Sequence, residues 1–191
     1  MALAHLNRAD PPVVKRLYRL IALTGFMGCG KSTVARLLAR QIAWHYADLD
    51  RHITEHAHMT IPEIFAHRGE AGFREVEHQE LRRILGEAAA FDKPMIISLG
   101  GGTTSQPRNL ALLREAACPI VYLHCPVEEL LRRCSRITNR PLFRDEASFR
   151  KLHAERLPSY ELADFRVNSS IEPLGVVQQI LNLGILEGVP V

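Results

Sequence analysis

Short apolar runs alternate with amphipathic stretches along most of this chain, and each predicts an element. Residues 16–24, RLYRLIALT, form a brief apolar run ending at a glycine-rich turn, the pattern of a buried strand. In the following KSTVARLLARQIA, Val34, Leu37, Leu38 and Ile42 recur on one face of a helix. A second strand is expected at 44–49 and a short helix at 51–57. From 61 to 90 the pattern is helical, interrupted by Gly69 and Gly72. MIISL at 95–99 predicts a third strand and runs into Gly100, Gly101 and Gly102. A helix near 109–116 leads to PIVYLH at 119–124, a fourth strand, and 127–136 is an amphipathic helix with arginines on its polar face. Residues 137–146 contain Pro141, lack sustained periodicity and read as a mobile loop. Helices at 148–157 and 173–183 surround a last short strand at 164–167. Strands alternating with helices imply a parallel sheet covered on both faces. The expected fold is therefore α/β, a three-layer sandwich around five parallel strands.

Composition narrows the class. The chain has 191 residues, 47% hydrophobic and 24% charged, which excludes a fibrous or disordered protein and leaves little more than one domain. A single domain over 16–191 is expected, preceded by a flexible extension at 1–15 without the pattern of a secretory leader. Lysine and arginine total 24 against 21 acidic residues, and a net charge of +3 argues weakly for nucleic-acid binding. No apolar stretch is long enough for a membrane span. Cys29, Cys118, Cys125 and Cys134 form no CxxC pair, which points to reduced thiols in a cytoplasmic enzyme.

The strongest chemical signal is GFMGCGKS at 25–32, which matches GxxxxGK[ST] between a predicted strand and a predicted helix. Gly25, Gly28 and Gly30 let the backbone amides turn inward, so that the loop and the helix start bind phosphate oxygens. Lys31 can reach the β- and γ-phosphates and the Ser32 hydroxyl can ligate Mg²⁺. Gly28, Cys29, Gly30, Lys31, Ser32 and Thr33 are the expected nucleotide-binding residues of this P-loop. A second constellation, Asp48-Leu-Asp50, lies at the end of the second predicted strand. Strand alternation would send both carboxylates into one cleft. One could then hold a metal-bound water while the other meets an acceptor hydroxyl. A solvated turn is the equally open alternative for such a pair.

Around these two motifs the chain carries GEAGFREVE at 69–77, SLGGGT at 98–103, NRPLF at 139–143 and ERLPSY at 155–160. In this order and spacing the sequence resembles the shikimate kinase family, from about Leu20 to the C-terminal helix. The resemblance implies a P-loop kinase that uses Mg²⁺ and ATP to phosphorylate the 3-hydroxyl of shikimate, on the route to chorismate. It implies Lys31 on the transferring phosphate, Ser32 on Mg²⁺ and Asp48 in the outer sphere of the ion. Asp50 would lie beside the acceptor hydroxyl, as a base or only aligning it. Arg74 and Arg156 would clamp the carboxylate, Gly101 and Gly102 would approach the substrate with their backbone, Arg133 would pack on adenine, and Arg140 would reach the phosphates from a lid. The substrate region would span about 50–85 and the lid about 137–150, in a monomer with neither nucleic-acid nor membrane partners.

Bland readings stand beside these. Arg74 and Arg133 lie in charge-rich helical segments where arginine is usually solvated or paired along the helix. Glu75, Glu77 and Glu80 read as a solvated helix face, and Phe73 as core. His52 and His56 are four apart, yet without a ligand-rich partner motif they read as solvated or packing residues rather than a metal site. Cys29 would place a thiol beside the phosphates, so alkylation blocked by ATP is expected. A gluconate or nucleoside monophosphate kinase, and a non-catalytic nucleotide-binding protein, remain the alternatives.

Overall fold

In the computed structural model, residues 17–135 and 145–189 are described. Five strands, β1 (Leu20–Thr24), β2 (His45–Asp48), β3 (Met95–Ser98), β4 (Ile120–His124) and β5 (Phe165–Asn168), form one parallel sheet. Their order is β2-β3-β1-β4-β5. The helices are α1 (Lys31–Gln41), α2 (Leu49–Ala57), α3 (Ile61–Ala90), α4 (Pro107–Glu115), α5 (Val127–Cys134), α6 (Glu146–Tyr160) and α7 (Pro173–Asn182). A 3-10 turn at Thr103–Ser105 follows the glycine run. No helix among the described residues is long and apolar enough to cross a membrane.

The two-residue period of the strands divides the core. Ile21, Leu23, Ile96, Val121 and Leu123 face a layer that includes Val34, Leu38, Val176 and Ile180. Ala22, Ile97 and Ile120 face the opposite layer, with Leu49, Ile53, Leu81, Ile84 and Leu113. Both faces of the sheet are thus covered, as the unbroken apolar runs require. The crossing point of the topology lies at β1, whose neighbours β3 and β4 are reached in opposite directions. Loops leaving the carboxyl ends of β1, β2 and β3 open on that point, where open α/β sheets bind ligands.

Two local features aim the site. Gly69 breaks α3 with φ 65° and ψ −176°, so the helix runs in two segments and the second carries Arg74 and Glu77. The first segment starts at a capping box in which Thr60 and Glu63 satisfy each other's backbone. At the other end of the chain, Tyr18 bridges to Leu186 and ties the start of the described chain to its last residues.

Candidate active site

The loop after β1 folds as its sequence requires. At Gly25, φ is 142° and an added Cβ would stand 2.9 Å from the Leu123 carbonyl oxygen, so only glycine fits. Gly30 caps α1 in the left-handed region and hands the chain to Lys31. The Lys31 ammonium donates to the carbonyls of Gly25 at 2.7 Å and Phe26 at 3.3 Å, holding the cation across the loop. Ser32 stands one residue into the helix, with its hydroxyl 3.3 Å from that of Ser98 at the end of β3. Asp48 closes β2 and caps α2, accepting from the Arg51 amide at 3.2 Å and from the Tyr46 hydroxyl at 2.9 Å. The same Tyr46 hydroxyl reaches Ser32; burial and then the Asp48 charge push its pKa to about 12, so it stays a donor. Ser32, Ser98 and Asp48 thereby offer hard oxygen atoms to one small region, a donor set suited to Mg²⁺.

The glycine run after β3 is the second half of the site. An added Cβ would stand 2.8 Å from Asp50 Oδ1 at Gly100, 3.1 Å from Arg156 Nη1 at Gly101 and 2.6 Å from Arg74 Nη2 at Gly102. Three side chains from α2, α6 and α3 thus press onto three successive residues that have none. Arg74 is fixed by Glu77, whose carboxylate takes Nη1 at 3.0 Å and the Thr103 hydroxyl at 2.7 Å. Glu77 is 1% exposed, so its side of this ion pair is shielded from water. The Arg74 Nε, also buried, has no hydrogen-bond partner. Arg156 lies 6.0 Å from the Phe26 ring centroid, linking the substrate half to the phosphate loop. Tyr160, one turn beyond Arg156, donates to the Gly101 carbonyl at 2.5 Å and is fully buried, which pushes its pKa up and keeps the proton on. Burial also pushes Asp50 upward, opposed by Lys31 and reinforced by Asp48 and Glu77, to about 6.

The shikimate kinase family model matches residues 27–183. The chain belongs to the shikimate kinase family. A shikimate kinase of Chlorobium chlorochromatii is 40% identical over 82% of this chain and 85% of its own length. One from Geobacter metallireducens is 40% identical over 89% and 93% respectively. The solved shikimate kinase of Acinetobacter baumannii, in complex with shikimate, superposes with a TM-score of 0.78 at 34% identity, over 88% of this chain and 93% of that one. This family membership carries the α/β kinase fold expected from the strand and helix pattern.

Of the expected site residues, Lys31, Ser32, Asp48, Asp50, Arg74, Gly101, Gly102 and Arg156 converge on the carboxyl edge of the sheet. Arg140 and most of the expected lid lie outside the described residues, as does the expected extension at 1–15. Arg133 is held on α5 by Glu129, to which its Nε donates at 2.7 Å. Asp48 and Asp50 do not lie two apart on one strand, contrary to the expectation from the sequence. The strand ends at Asp48, so Asp50 is a residue of the first helical turn and neighbours Asp48 across that turn.

Glu77 and Glu80 are buried rather than solvated, at 1% and 6% exposure, while Glu75 does face solvent and pairs with Arg108. Glu77 falls on the stripe of Phe73, Leu81 and Ile84, and that spacing was the available signal. Ser98, Thr103 and Tyr160 lie inside the quoted motifs and Tyr46 inside the second expected strand, yet their roles are not legible there. Thr103, where only slight effects are expected from its departure from the family pattern, is fully buried and donates to Glu77. Cys29 is 2% exposed, with Sγ turned toward Gly25 under the loop and away from solvent. Maleimide labelling of Cys29 is therefore expected to be slow with or without ATP; rapid labelling that ATP blocks would contradict this placement.

Proposed function

We propose that the chain transfers the γ-phosphoryl group of ATP to the 3-hydroxyl of shikimate, giving shikimate 3-phosphate and ADP on the way to chorismate and the aromatic amino acids. The observation that carries this reading is the convergence of two arginines and one carboxylate on Gly100–Gly102, beside a phosphate-binding loop. A small hydroxy acid needs a planar cation for its carboxylate and a carboxylate for its hydroxyl, and the cleft supplies both. Arg74 sets its guanidinium against Gly102, where a substrate carboxylate would add a charge-assisted bond. Arg156 offers the second cation, steadied by Phe26. The loop amides and Lys31 hold the β- and γ-phosphates. Asp50, ionised at neutral pH with a pKa near 6, faces the acceptor hydroxyl and takes or orients its proton.

Ser32 directly, with Asp48 and Ser98 through water, would hold Mg²⁺, which neutralises charge on the β- and γ-oxygens during phosphoryl transfer. Arg140 and Arg133 are assigned to the phosphates and the adenine, with closure of 137–150 excluding water from the reaction. Residues 16–191 form one domain in this reading, with the acceptor bound within about 50–85 and against the glycine run. A monomer is part of this reading. The four cysteines are all buried thiols, in keeping with a reducing, cytosolic setting.

A coupled ADP-release assay under Mg-ATP tests the reading. Turnover should depend on shikimate, with gluconate and nucleoside monophosphates inert; turnover indifferent to shikimate would overturn it. The glycine run gives a sharper check. Gly102 has an ordinary φ of −118°, so Gly102→Ala introduces no backbone strain and acts only by pushing Arg74, which Glu77 holds in place. A displacement of about 1 Å at such a clamp is worth on the order of a hundredfold in kcat/KM for shikimate. The KM for ATP should change little.

A further inference from the structure

The interface between α2 and α3 holds a group of side chains that phosphoryl transfer does not use. His52 and His56 face the same direction from α2, and Glu80 meets them from α3. One ligand atom from each lies within 4.8 Å of the other two. Both His52 Nδ1 and His56 Nδ1 stand 3.5 Å from the same oxygen, Glu80 Oε1. A tetrahedral ion with bonds of about 2.1 Å sets its ligands roughly 3.4 Å apart, so these two edges already have the right length. Glu80 is only 7% exposed at its side chain, whereas His56 is 54% exposed and borders an open cleft of about 370 Å³ beside Ala57, Arg68 and Gln79. That cleft leaves a path for an ion and for a solvent ligand in the fourth position.

A cation already occupies this position. Arg83 donates to Glu80 through Nε at 3.0 and 3.2 Å and through Nη2 at 2.6 Å, and Nη2 also reaches His52 Nδ1 at 2.9 Å. The guanidinium therefore marks where positive charge is stabilised. Arg83 also pairs with Glu87, so it keeps a carboxylate partner when it leaves Glu80. His56 Nδ1 lies 3.2 Å from the His52 carbonyl; ligation there moves its proton to Nε2.

We infer that His52, His56 and Glu80 form a binding site for a divalent transition ion of the Zn²⁺, Co²⁺ or Ni²⁺ class, in competition with the Arg83 guanidinium. Two imidazoles and one carboxylate suit these ions and not Mg²⁺, which takes oxygen ligands. The site is separate from the phosphate loop, and it would pin α2, whose first turn bears Asp50, to the α3 segment bearing Arg74.

The test is a Co²⁺ titration of the full chain in saturating Mg²⁺ without nucleotide, followed by the visible absorption of tetrahedral Co²⁺. One equivalent should bind, and Zn²⁺ should bleach the signal. His56→Gln, at an exposed position that should fold normally, should weaken binding about tenfold or more while leaving shikimate-dependent turnover in Mg²⁺ alone unchanged. Arg83→Gln, checked for folding by circular dichroism, should tighten binding, because the competing cation is gone. Absence of a tetrahedral spectrum, wild-type affinity in His56→Gln, or weaker binding in a folded Arg83→Gln would each overturn the assignment.

Discussion

Replacing Asp50 with asparagine is expected to lower turnover by about 10²–10⁴-fold while making the folded protein more stable. The loss follows from its place: the carboxylate lies against Gly100, facing Lys31, while the Glu77 carboxylate beside it is already taken by Arg74 and Thr103. The gain follows from the raised pKa. The group titrates near 6 rather than at 3.8, chiefly because burial penalises its charge. A carboxyl whose folded pKa is raised stabilises the fold in its protonated form. That stabilisation is complete below about pH 4 and is lost as pH rises through about 6. At pH 8 the ionised carboxylate therefore costs the fold at most about 3 kcal/mol, which asparagine does not pay. Urea unfolding at pH 8 and at pH 4 measures the effect: the variant should gain stability over the wild type at pH 8 and converge with it at pH 4. An equal gain at both pH values would show that charge is not the cause. In the wild type, kcat/KM should fall on the acid side of a limb near pH 6.

Glu77→Ala should be among the most destabilising single changes in the chain. It removes a carboxylate that is 1% exposed and leaves the Arg74 guanidinium and the Thr103 hydroxyl without their shared acceptor. Losing one partner of a buried ion pair costs about 3–5 kcal/mol, because the remaining charge stays in a poorly solvating place. Glu70 offers Arg74 only a longer contact of 3.4 Å from a solvated position. Two further results separate this from simple loss of packing. The KM for shikimate should rise in Glu77→Ala, since Arg74 is no longer held, and Glu77→Gln should restore part of the stability by refilling the volume and accepting from Thr103. A loss below about 1 kcal/mol would show that Arg74 is held by something else.

The sheet and the phosphate loop were readable because their signals are local. Apolar runs of four or five residues mark strands buried on both faces, and GFMGCGKS must turn in a way that only its glycines permit. The boundary at Asp48 was harder, because one aspartate ends a strand and caps a helix at once. Residue type misled at Glu77 and Glu80: a charge suggests solvent, while the spacing from Phe73 to Leu81 placed both against the core. The convergence of Arg74, Arg156 and Asp50 could not come from composition or periodicity at all. Each belongs to a different helix, and only the motif resemblance brought them together before the fold did. The pairing of His52 and His56 with Glu80 has the same origin, since their shared carboxylate lies on another helix.

The order of the converging pieces along the chain gives synthesis of this enzyme a direction. The phosphate loop and α1 emerge early, then Asp50 and Arg74, then the glycine run they rest on. Arg156 and Tyr160 come last, on α6, and Tyr160 is the side chain that fastens Gly101. A nascent chain thus carries its phosphate loop long before the second of the two arginines proposed to grip the acid acceptor. Until α6 docks, the growing polypeptide has one of the two arginines proposed for the acceptor carboxylate, so in that reading the acceptor favours the native state only in the final stage of folding.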